Sequence, residues 1–255
     1  MGLFITLEGP EGSGKTTHAR LLASWLAAAG YDVLTTREPG GTRIGDVVRT
    51  LLLDPVYTGI RPETEFLLFS AARAQIVGEV IRPHLEKGGV VVCDRFADSS
   101  LAYQGYGRRL DQGAVHTITA FATGSLLPDL TLCLDLPVAE GLRRKQDGGL
   151  GRPDRLEQER LEFHERVRQG YLTLARAEPE RWAILDAAQP IAKVQEEIRS
   201  RVSERLAPSR VASEVSRSTG RRVPVGTSGA EPRKPEPDLQ GKGVVTDETY
   251  HGNHQ

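Results

Sequence analysis

Cysteine, aromatic residues and long apolar runs are all scarce in this chain. Of its 255 residues, only two are cysteine and 5% are aromatic. The two cysteines, Cys93 and Cys133, lie inside apolar runs and make neither a disulfide framework nor a zinc site, so we expect both to be buried. No apolar stretch approaches the ~18 residues of a membrane span, and no basic region precedes an apolar one at the start. These absences predict a cytoplasmic protein without a membrane partner.

Three further classes of protein are disfavoured by the composition and motifs of the chain. A formal net charge of -1 is unlike that of a general nucleic-acid coat, so we expect no nucleic-acid partner. The only asparagine is Asn253, whereas guanine-nucleotide switches usually read their base with an Asn-Lys-x-Asp segment. No aromatic and basic track for single strands is present, which argues against a helicase or motor.

The composition changes near residue 207. From Ala207 to Gln255 there is no Phe, Trp, Ile or Met, and Ser, Gly, Pro and charged residues dominate. Such a segment buries too little apolar surface to offset the entropy of ordering it. We therefore predict one folded domain over residues 1–206 and a disordered tail over 207–255.

Within 1–206, apolar strand-like runs alternate with segments of helical periodicity. The predicted strands are 3–8, 32–36, 89–94, 129–136 and 181–186, and the predicted helices are 15–29, 43–54, a longer one from Pro62, 160–175 and 191–206. This alternation predicts an α/β fold, with a five-stranded parallel sheet and helices on both faces in a three-layer sandwich.

The segment GPEGSGKTT, residues 9–17, follows the first strand and opens the first helix. Gly9, Gly14, Lys15 and Thr16 fit the G-x-x-x-x-G-K-[ST] pattern, which predicts a P-loop NTPase-type fold that holds a nucleoside triphosphate. Lys15 would reach the β- and γ-phosphates, and the Thr16 hydroxyl would hold Mg²⁺. The predicted ATP-binding residues of the loop are Gly9, Pro10, Glu11, Gly12, Ser13, Gly14, Lys15, Thr16 and Thr17.

Arginines cluster at strand ends or on helices beside them: Arg37, Arg49, Arg73 and Arg95. Ligands bind at the carboxyl ends of parallel strands, although a lone arginine is more often a solvated surface charge. Asp94 and Arg95 differ because they directly end a buried strand, where an arginine is costly unless it faces an anion. Asp94 resembles a Walker-B carboxylate that supports the metal. The arginines predict a small kinase with a second anion site.

The chain resembles the thymidylate kinase family, which transfers phosphate from ATP to dTMP. The matching segments are GPEGSGKTT, TREPGGT, FSAAR, DRFADSSLAYQG, PDLTLCLD, PDRLE and LDAAQP. They occur in the family's order between residue 3 and about residue 205. The tail has no counterpart in the family pattern. The resemblance implies Mg²⁺ with ATP as cofactor, and a homodimer to which the helix containing FLLFSAARAQIVGEVI contributes.

The resemblance also implies an acceptor site for dTMP. Phe69 would stack on thymine, and Arg73, four residues later on the same helix face, would bind O4. Ser100 and Gln104 would read the N3–H edge, and Tyr103 would lie against the sugar. Arg49 and Arg95 would grip the phosphate with Arg37 nearby, and Glu11 and Glu38 would lie near the sugar and phosphate.

The segment LRRKQDGGLGRPDRLE, residues 142–157, is predicted to be a mobile basic lid, because glycine and arginine dominate it. The resemblance implies that it closes over ATP. Arg152 and Arg155 are then the candidate catalytic arginines of the lid, in addition to the catalytic residues Lys15 and Arg95. Asp154 and Glu157 would orient the lid arginines. Arg143 would stack on adenine, and Ala187, Ala188 and Gln189 would border it.

Two alternatives stay open from the residues. A kinase for another nucleoside monophosphate is disfavoured by FSAAR and DSSLAYQG. A regulatory NTPase that hydrolyses ATP slowly would not need Arg49, Arg73 and Arg95 directed at a second anion.

Overall fold

The computed structural model describes residues 2–148 and 153–218, and a fully parallel sheet forms its centre. The strands are β1 (Leu3–Glu8), β2 (Val33–Arg37), β3 (Val90–Asp94), β4 (Leu130–Asp135) and β5 (Trp182–Asp186), and their order across the sheet is β2-β3-β1-β4-β5. The predicted five-stranded parallel sheet is therefore confirmed, and the loop after β1 lies beside the ends of the neighbouring strands β3 and β4.

Alternate residues of the central strands pack on opposite faces of the sheet. In β1, Ile5 and Leu7 join an apolar cluster that includes Leu22 of the first helix, whereas Phe4 joins a second cluster on the other face with Ile76. Both cysteines are buried, as predicted. Burial on both faces explains why these strands are continuously apolar rather than alternating.

Helices cover both faces of the sheet. They are α1 (Lys15–Ala28), α2 (Arg43–Leu53), α3 (Pro62–Ile76), α4 (Arg82–Glu86), α5 (Ala97–Ser100), α6 (Gln112–Thr123), α7 (Val138–Asp147), α8 (Leu161–Ala177) and α9 (Ile191–Ser218). The π-helical segment Val77–Ile81 joins α3 to α4, and a second one, Leu101–Gly107, continues α5. Periodicity predicts none of the helical structure over 97–107, 112–123 and 138–147. Within the described ranges, no helix is both long and apolar enough to cross a bilayer.

The last helix passes the boundary that composition predicts. The closing helix was predicted to end at 206, but α9 continues to Ser218, and residues 219–255 of the predicted tail lie outside the described part of the chain. Each residue that extends an existing helix gains one backbone hydrogen bond, so the extension does not require apolar burial. The composition of 207–218 therefore excludes a core but not a helix.

Candidate active site

The P-loop, residues 9–17, connects β1 to α1 and is folded around the lysine side chain. Lys15 Nζ donates to the carbonyl oxygens of Gly9 at 3.1 Å and Pro10 at 2.7 Å, and to Ser13 Oγ at 3.2 Å. Gly12 has φ +70, and a Cβ there would lie 2.0 Å from the Gly141 carbonyl oxygen, so only glycine fits. Burial and the nearby Arg95 charge lower the pKa of Lys15 to about 8. The loop thus leaves a buried ammonium and the start of α1 available to an anion.

A hydroxyl and a carboxylate meet beside this loop. Thr16 Oγ1 donates to Asp94 Oδ2 at 2.5 Å, which joins the start of α1 to the end of β3. Both residues line the cavity described below. Hydroxyl, carboxylate and phosphate oxygens are the ligands that Mg²⁺ prefers, so this pair fits the predicted metal site.

Arg95 is held by a ring of buried partners. Its Nη2 donates to Glu11 Oε1 at 2.6 Å, and its Nη1 donates to the Gly9 carbonyl oxygen at 3.1 Å and to Tyr171 Oη at 3.0 Å. Tyr103 Oη also donates to Glu11 Oε1, at 2.6 Å. Arg95 has φ +70, which is uncommon for a residue with a side chain and typical of functional sites.

The carboxylate of Glu11 is ionised in this ring. Burial alone would raise the pKa of Glu11, but the charges of Arg95 and Lys15 lower it to about 2. Below the ring, Glu8 at the end of β1 accepts from Tyr171 Oη at 2.8 Å and from Ser99 Oγ at 2.7 Å. The P-loop and the strand end that carries Arg95 are therefore one connected polar network.

Arg73 does not line the cavity; it lies buried behind the wall, in contact with Glu38 and Ser100, which do line it, and is 1% exposed. Its three nitrogens donate to Glu38 Oε2 at 2.7 Å, Ser100 Oγ at 2.9 Å and the Phe96 carbonyl oxygen at 3.2 Å. These contacts use three of the five N–H donors of the guanidinium group and fix its orientation. The structure thus brings Arg73, Glu38 and Ser100 together, as a shared acceptor site requires.

The cavity between the P-loop, β2, α3 and the 101–107 segment has a volume of about 750 Å³. The predicted site residues that line it are Glu11, Gly12, Gly14, Lys15, Thr16, Thr17, Arg37, Glu38, Arg49, Phe69, Asp94, Arg95, Ser100, Tyr103 and Gln104. Arg49 donates to the Pro39 carbonyl oxygen at 2.8 Å, and burial together with the neighbouring Arg37 charge lowers the pKa of Arg49. Clustered guanidinium groups of this kind are stabilised by a bound anion.

The segment predicted as a lid differs from expectation. Residues 142–147 belong to α7, because Glu140–Arg144 and Arg143–Asp147 are ion pairs four residues apart that stabilise a helix. Arg143 is exposed in those pairs and does not line the cavity. Arg144 does line it and donates to the Ala187 carbonyl oxygen at 3.0 Å. Arg144 therefore holds the position beside the 187–189 turn that the prediction gave to Arg143.

Of the two candidate lid arginines, Arg155 lies within the described residues, and it is not beside the P-loop. Arg152 lies outside the described residues. Arg155 donates to Glu65 Oε2 at 2.6 Å and to the Leu52 carbonyl oxygen at 2.8 Å, and it does not line the cavity. Its main-chain N–H also bonds to the Leu53 carbonyl oxygen, so backbone and side chain together hold it against α2 and α3.

Asp154, Glu157 and Gln189 have contacts other than those predicted. Asp154 Oδ1 accepts from the main-chain N–H groups of residues 156 and 157, and Glu157 pairs with Lys145 at 2.5 Å. Neither carboxylate therefore orients Arg155. Gln189 Nε2 donates to Asp186 Oδ2 at 2.9 Å on the surface, while Ala188 donates its N–H to the same carboxylate. A short local turn satisfies these groups without a nucleotide.

Sequence reasoning missed Glu8, Glu65, Arg108, Lys145 and Tyr171. Glu8 ends a buried strand, which is the signal that identified Asp94 and Arg95. Glu65 precedes Phe69 by four residues and so shares its helix face. Tyr171 lies within an ordinary amphipathic pattern on α8, so nothing in the sequence distinguishes it from a core residue.

The fold and this cavity define a P-loop α/β protein of the nucleotide-kinase class, because a triphosphate loop opens onto a second arginine-lined site. The family model for thymidylate kinase matches residues 7–198. A Deinococcus radiodurans thymidylate kinase is 57% identical over 204 residues, covering 80% of this chain and 98% of that protein. A Roseiflexus castenholzii thymidylate kinase is 53% identical over 218 residues, covering 81% and 95%. The chain belongs to the thymidylate kinase family.

A solved structure agrees with this assignment. The crystal structure of thymidylate kinase from Ehrlichia chaffeensis matches with a TM-score of 0.64 at 32% identity, covering 79% of this chain and 98% of that one.

Proposed function

We propose that the chain transfers the γ-phosphoryl group of ATP to dTMP and releases dTDP and ADP. The observation that carries this proposal is one cavity with two anion sites. Lys15 and the P-loop form the first, and Arg37, Arg49 and Arg95 lie around the second. An ATPase that uses only water as acceptor has no need of the second site.

The donor site would hold the triphosphate of ATP over residues 9–17. The main-chain N–H groups of this loop and the start of α1 face the phosphates, and Lys15 supplies a positive charge. When the phosphates bind, Lys15 exchanges its bonds to the Gly9 and Pro10 carbonyl oxygens for bonds to phosphate oxygens. Arg144, beside the Ala187 carbonyl oxygen, takes the adenine-side role first assigned to Arg143, and Gln189 has no role in our proposal.

The acceptor site would hold dTMP with its phosphate against Arg49 and Arg95. Phe69 would stack on thymine, Arg73 would reach O4, and Ser100 and Gln104 would read the N3–H edge. Tyr103 would lie against the sugar, where it crowds a 2′-hydroxyl. Glu38 Oε1 is buried and has no hydrogen-bond partner among the described residues, so it can accept from the sugar.

Catalysis then consists of positioning and charge neutralisation. The acceptor phosphate of dTMP is already largely ionised, so its oxygen attacks the γ-phosphorus in line with little acid–base assistance. Arg95 lies between the two sites, since it contacts the Gly9 carbonyl oxygen of the P-loop and Tyr103 Oη of the acceptor wall. Lys15 and Arg95 are the proposed catalytic residues of the described structure.

Thr16 and Asp94 would hold Mg²⁺ with the ATP phosphates, Thr16 directly and Asp94 in support. Bound Mg²⁺ would neutralise charge on the transferring phosphates. Arg152 remains a candidate catalytic residue of the lid. Arg155 takes that role only in a state in which it has left Glu65.

We further propose that the protein is a cytoplasmic homodimer that binds ATP and dTMP. Large apolar side chains are exposed on α2, α3 and α6, namely Ile44, Val47, Leu67 and Phe121, and Phe121 is 87% exposed. A second copy of the chain would cover this surface. Sedimentation velocity tests the assembly, because a monomer at micromolar concentration would contradict it.

The test of the reaction is ADP release with Mg·ATP and each nucleoside monophosphate in turn. We expect strong activity with dTMP, weaker activity with dUMP, and almost none with CMP or GMP. ADP release that is the same with and without an acceptor would instead identify an ATPase. Strong activity with CMP or UMP would identify a kinase of different base specificity.

A further inference from the structure

Glu65 is a buried carboxylate of α3 that the proposed reaction does not use. It is 0% exposed, and four donors surround it. Its Oε1 accepts from Gln104 Nε2 at 2.9 Å and Arg108 Nε at 3.1 Å, and its Oε2 accepts from Arg108 Nη2 at 2.9 Å and Arg155 Nη2 at 2.6 Å. Two distant segments of the chain, 104–108 and the one with Arg155, therefore converge on one side chain of α3.

The surroundings of Glu65 keep it ionised. Burial alone would raise its pKa, but the hydrogen bonds and charges of Arg108 and Arg155, with the Gln104 amide, lower it. An ionised carboxylate accepts hydrogen bonds and donates none. Glu65 therefore dictates that its neighbours present N–H groups to it.

This constraint fixes the orientation of the Gln104 amide. Gln104 is 1% exposed and lines the cavity, so its amide has two possible orientations, one of which would place a carbonyl oxygen against the Glu65 carboxylate. Repulsion excludes that orientation. The amide nitrogen of Gln104 must face Glu65, and no group in the described residues donates to Gln104 Oε1. Gln104 accordingly offers the cavity a hydrogen-bond acceptor.

We propose that Glu65 is a positioning residue for base specificity, which holds Gln104 so that its carbonyl oxygen selects a base with an N–H at position 3. This inference rests on the proposed dTMP site. Thymine and uracil carry that N–H, whereas cytosine presents an unprotonated nitrogen that would meet the Gln104 oxygen as acceptor against acceptor. This contact does not discriminate thymine from uracil, because both bases carry the N–H at position 3, so that discrimination depends on other contacts.

The test is the substitution Glu65→Gln with dTMP, dUMP and dCMP as acceptors. The carbonyl oxygen of the introduced amide would take the Oε2 position, which both guanidinium groups contact, so its NH₂ would take the Oε1 position, displace Arg108 Nε and turn the Gln104 amide over. Gln104 would then present a donor to the cavity. We expect the ratio of kcat/KM for dUMP to that for dCMP to fall about tenfold or more, since one mismatched buried hydrogen bond costs about 1–3 kcal/mol. The ratio of dTMP to dUMP should stay within about twofold.

The exchange variant Glu65→Gln with Gln104→Glu provides the matched control. It keeps one carboxylate in the cluster, and the carboxylate introduced at position 104 again offers an acceptor to the base, so the preference for dUMP over dCMP should return. It also provides the test if Glu65→Gln alone does not give folded protein, since a relaxed preference in this variant would overturn the inference.

The remaining outcomes separate the inference from the proposed site. An unchanged dUMP to dCMP ratio in folded Glu65→Gln would overturn the role of Glu65 while leaving the acceptor site intact. Wild-type protein that does not distinguish dUMP from dCMP would overturn the base-reading role of Gln104 itself, and the inference with it. A uniform loss with all three acceptors would mean that Glu65 only stabilises the fold.

Discussion

On the acceptor side of the cavity, Arg73 and Arg95 are held by buried partners, whereas on the donor side Arg143, Arg144 and Lys145 lie at the surface. The Arg73 side chain is 1% exposed and that of Arg95 is 15% exposed, compared with 61% for Arg143 and 35% for both Arg144 and Lys145. The buried arginines are already oriented before substrate binds. The exposed groups are not, because exposed ion pairs with neighbouring carboxylates contribute little free energy to hold them in place.

This difference follows from the supporting elements. The acceptor side is built on strand ends and on α3, which the apolar core fixes in place. On the donor side, Arg143, Arg144 and Lys145 lie on α7, whereas the P-loop that completes this side is held between β1 and α1. A rigid acceptor site beside weakly held side chains of α7 suits a kinase, which must bind both substrates before it closes and excludes water.

The largest effect is expected from Arg95→Ala. This change removes the charge between the two phosphates and leaves Glu11 without its closest cation, so we expect kcat/KM for dTMP to fall by about 10³-fold or more. Arg95→Lys should recover only part of the loss, because an ammonium lacks the fork that reaches Glu11, Gly9 and Tyr171 together. The steady-state kinetics of Arg143→Ala, an exposed arginine, serve as control. A loss below tenfold for Arg95→Ala would contradict the account.

The pH dependence of stability probes the buried network beneath the acceptor side. Burial and the nearby Asp98 charge raise the pKa of Glu8 to about 7, against an unfolded value near 4.5, even though Arg95, Ser99 and the Phe96 N–H lower it. Between these values the folded state binds more protons than the unfolded state, so the Glu8 contribution to the free energy of unfolding falls as pH rises from about 4.5 to 7. The full fall is at most about 3 kcal/mol.

Denaturant unfolding of the wild type and Glu8→Gln at several pH values measures this contribution. The wild type should lose stability relative to the variant between pH 5 and pH 7, and the difference should level off above pH 8. Parallel stability curves for the two proteins would show that Glu8 does not titrate in this range.

The smallest effect is expected from a change on the donor side, at Arg144. Arg144→Ala removes the hydrogen bond to the Ala187 carbonyl oxygen, so we expect KM for ATP to rise a few-fold, corresponding to about 1 kcal/mol, with KM for dTMP unchanged. Arg143→Ala should leave both values unchanged. A larger effect of Arg143→Ala than of Arg144→Ala would restore the assignment that the sequence predicts.

The sequence predicted the parts that depend on local pattern. The five strands, the P-loop and the strand-end pair Asp94 and Arg95 follow from apolar runs, glycine spacing and charge placement. The resemblance added Arg73 and Ser100, which the structure joins by a hydrogen bond of 2.9 Å. Each of these residues lies in a short segment whose backbone geometry is set by its neighbours in the chain.

The rest depends on which distant segments meet. Arg155 is 90 positions from Glu65 along the chain, and Tyr171 is 76 from Arg95, so no spacing rule connects them. Arg143 and Arg144 are adjacent in the sequence, and only the rotation of α7 decides which one faces the cavity. Composition excludes a core after residue 206 but does not predict where α9 ends.

The most direct test of the central claim follows the transferred group itself. The protein is incubated with Mg·ATP labelled at the γ-phosphorus and with dTMP, and the products are separated. Our account predicts that the label appears in dTDP, that none is transferred when dTMP is omitted, and that little is released as inorganic phosphate in either case. Label that appears mainly in inorganic phosphate, at a rate that dTMP does not change, would contradict it.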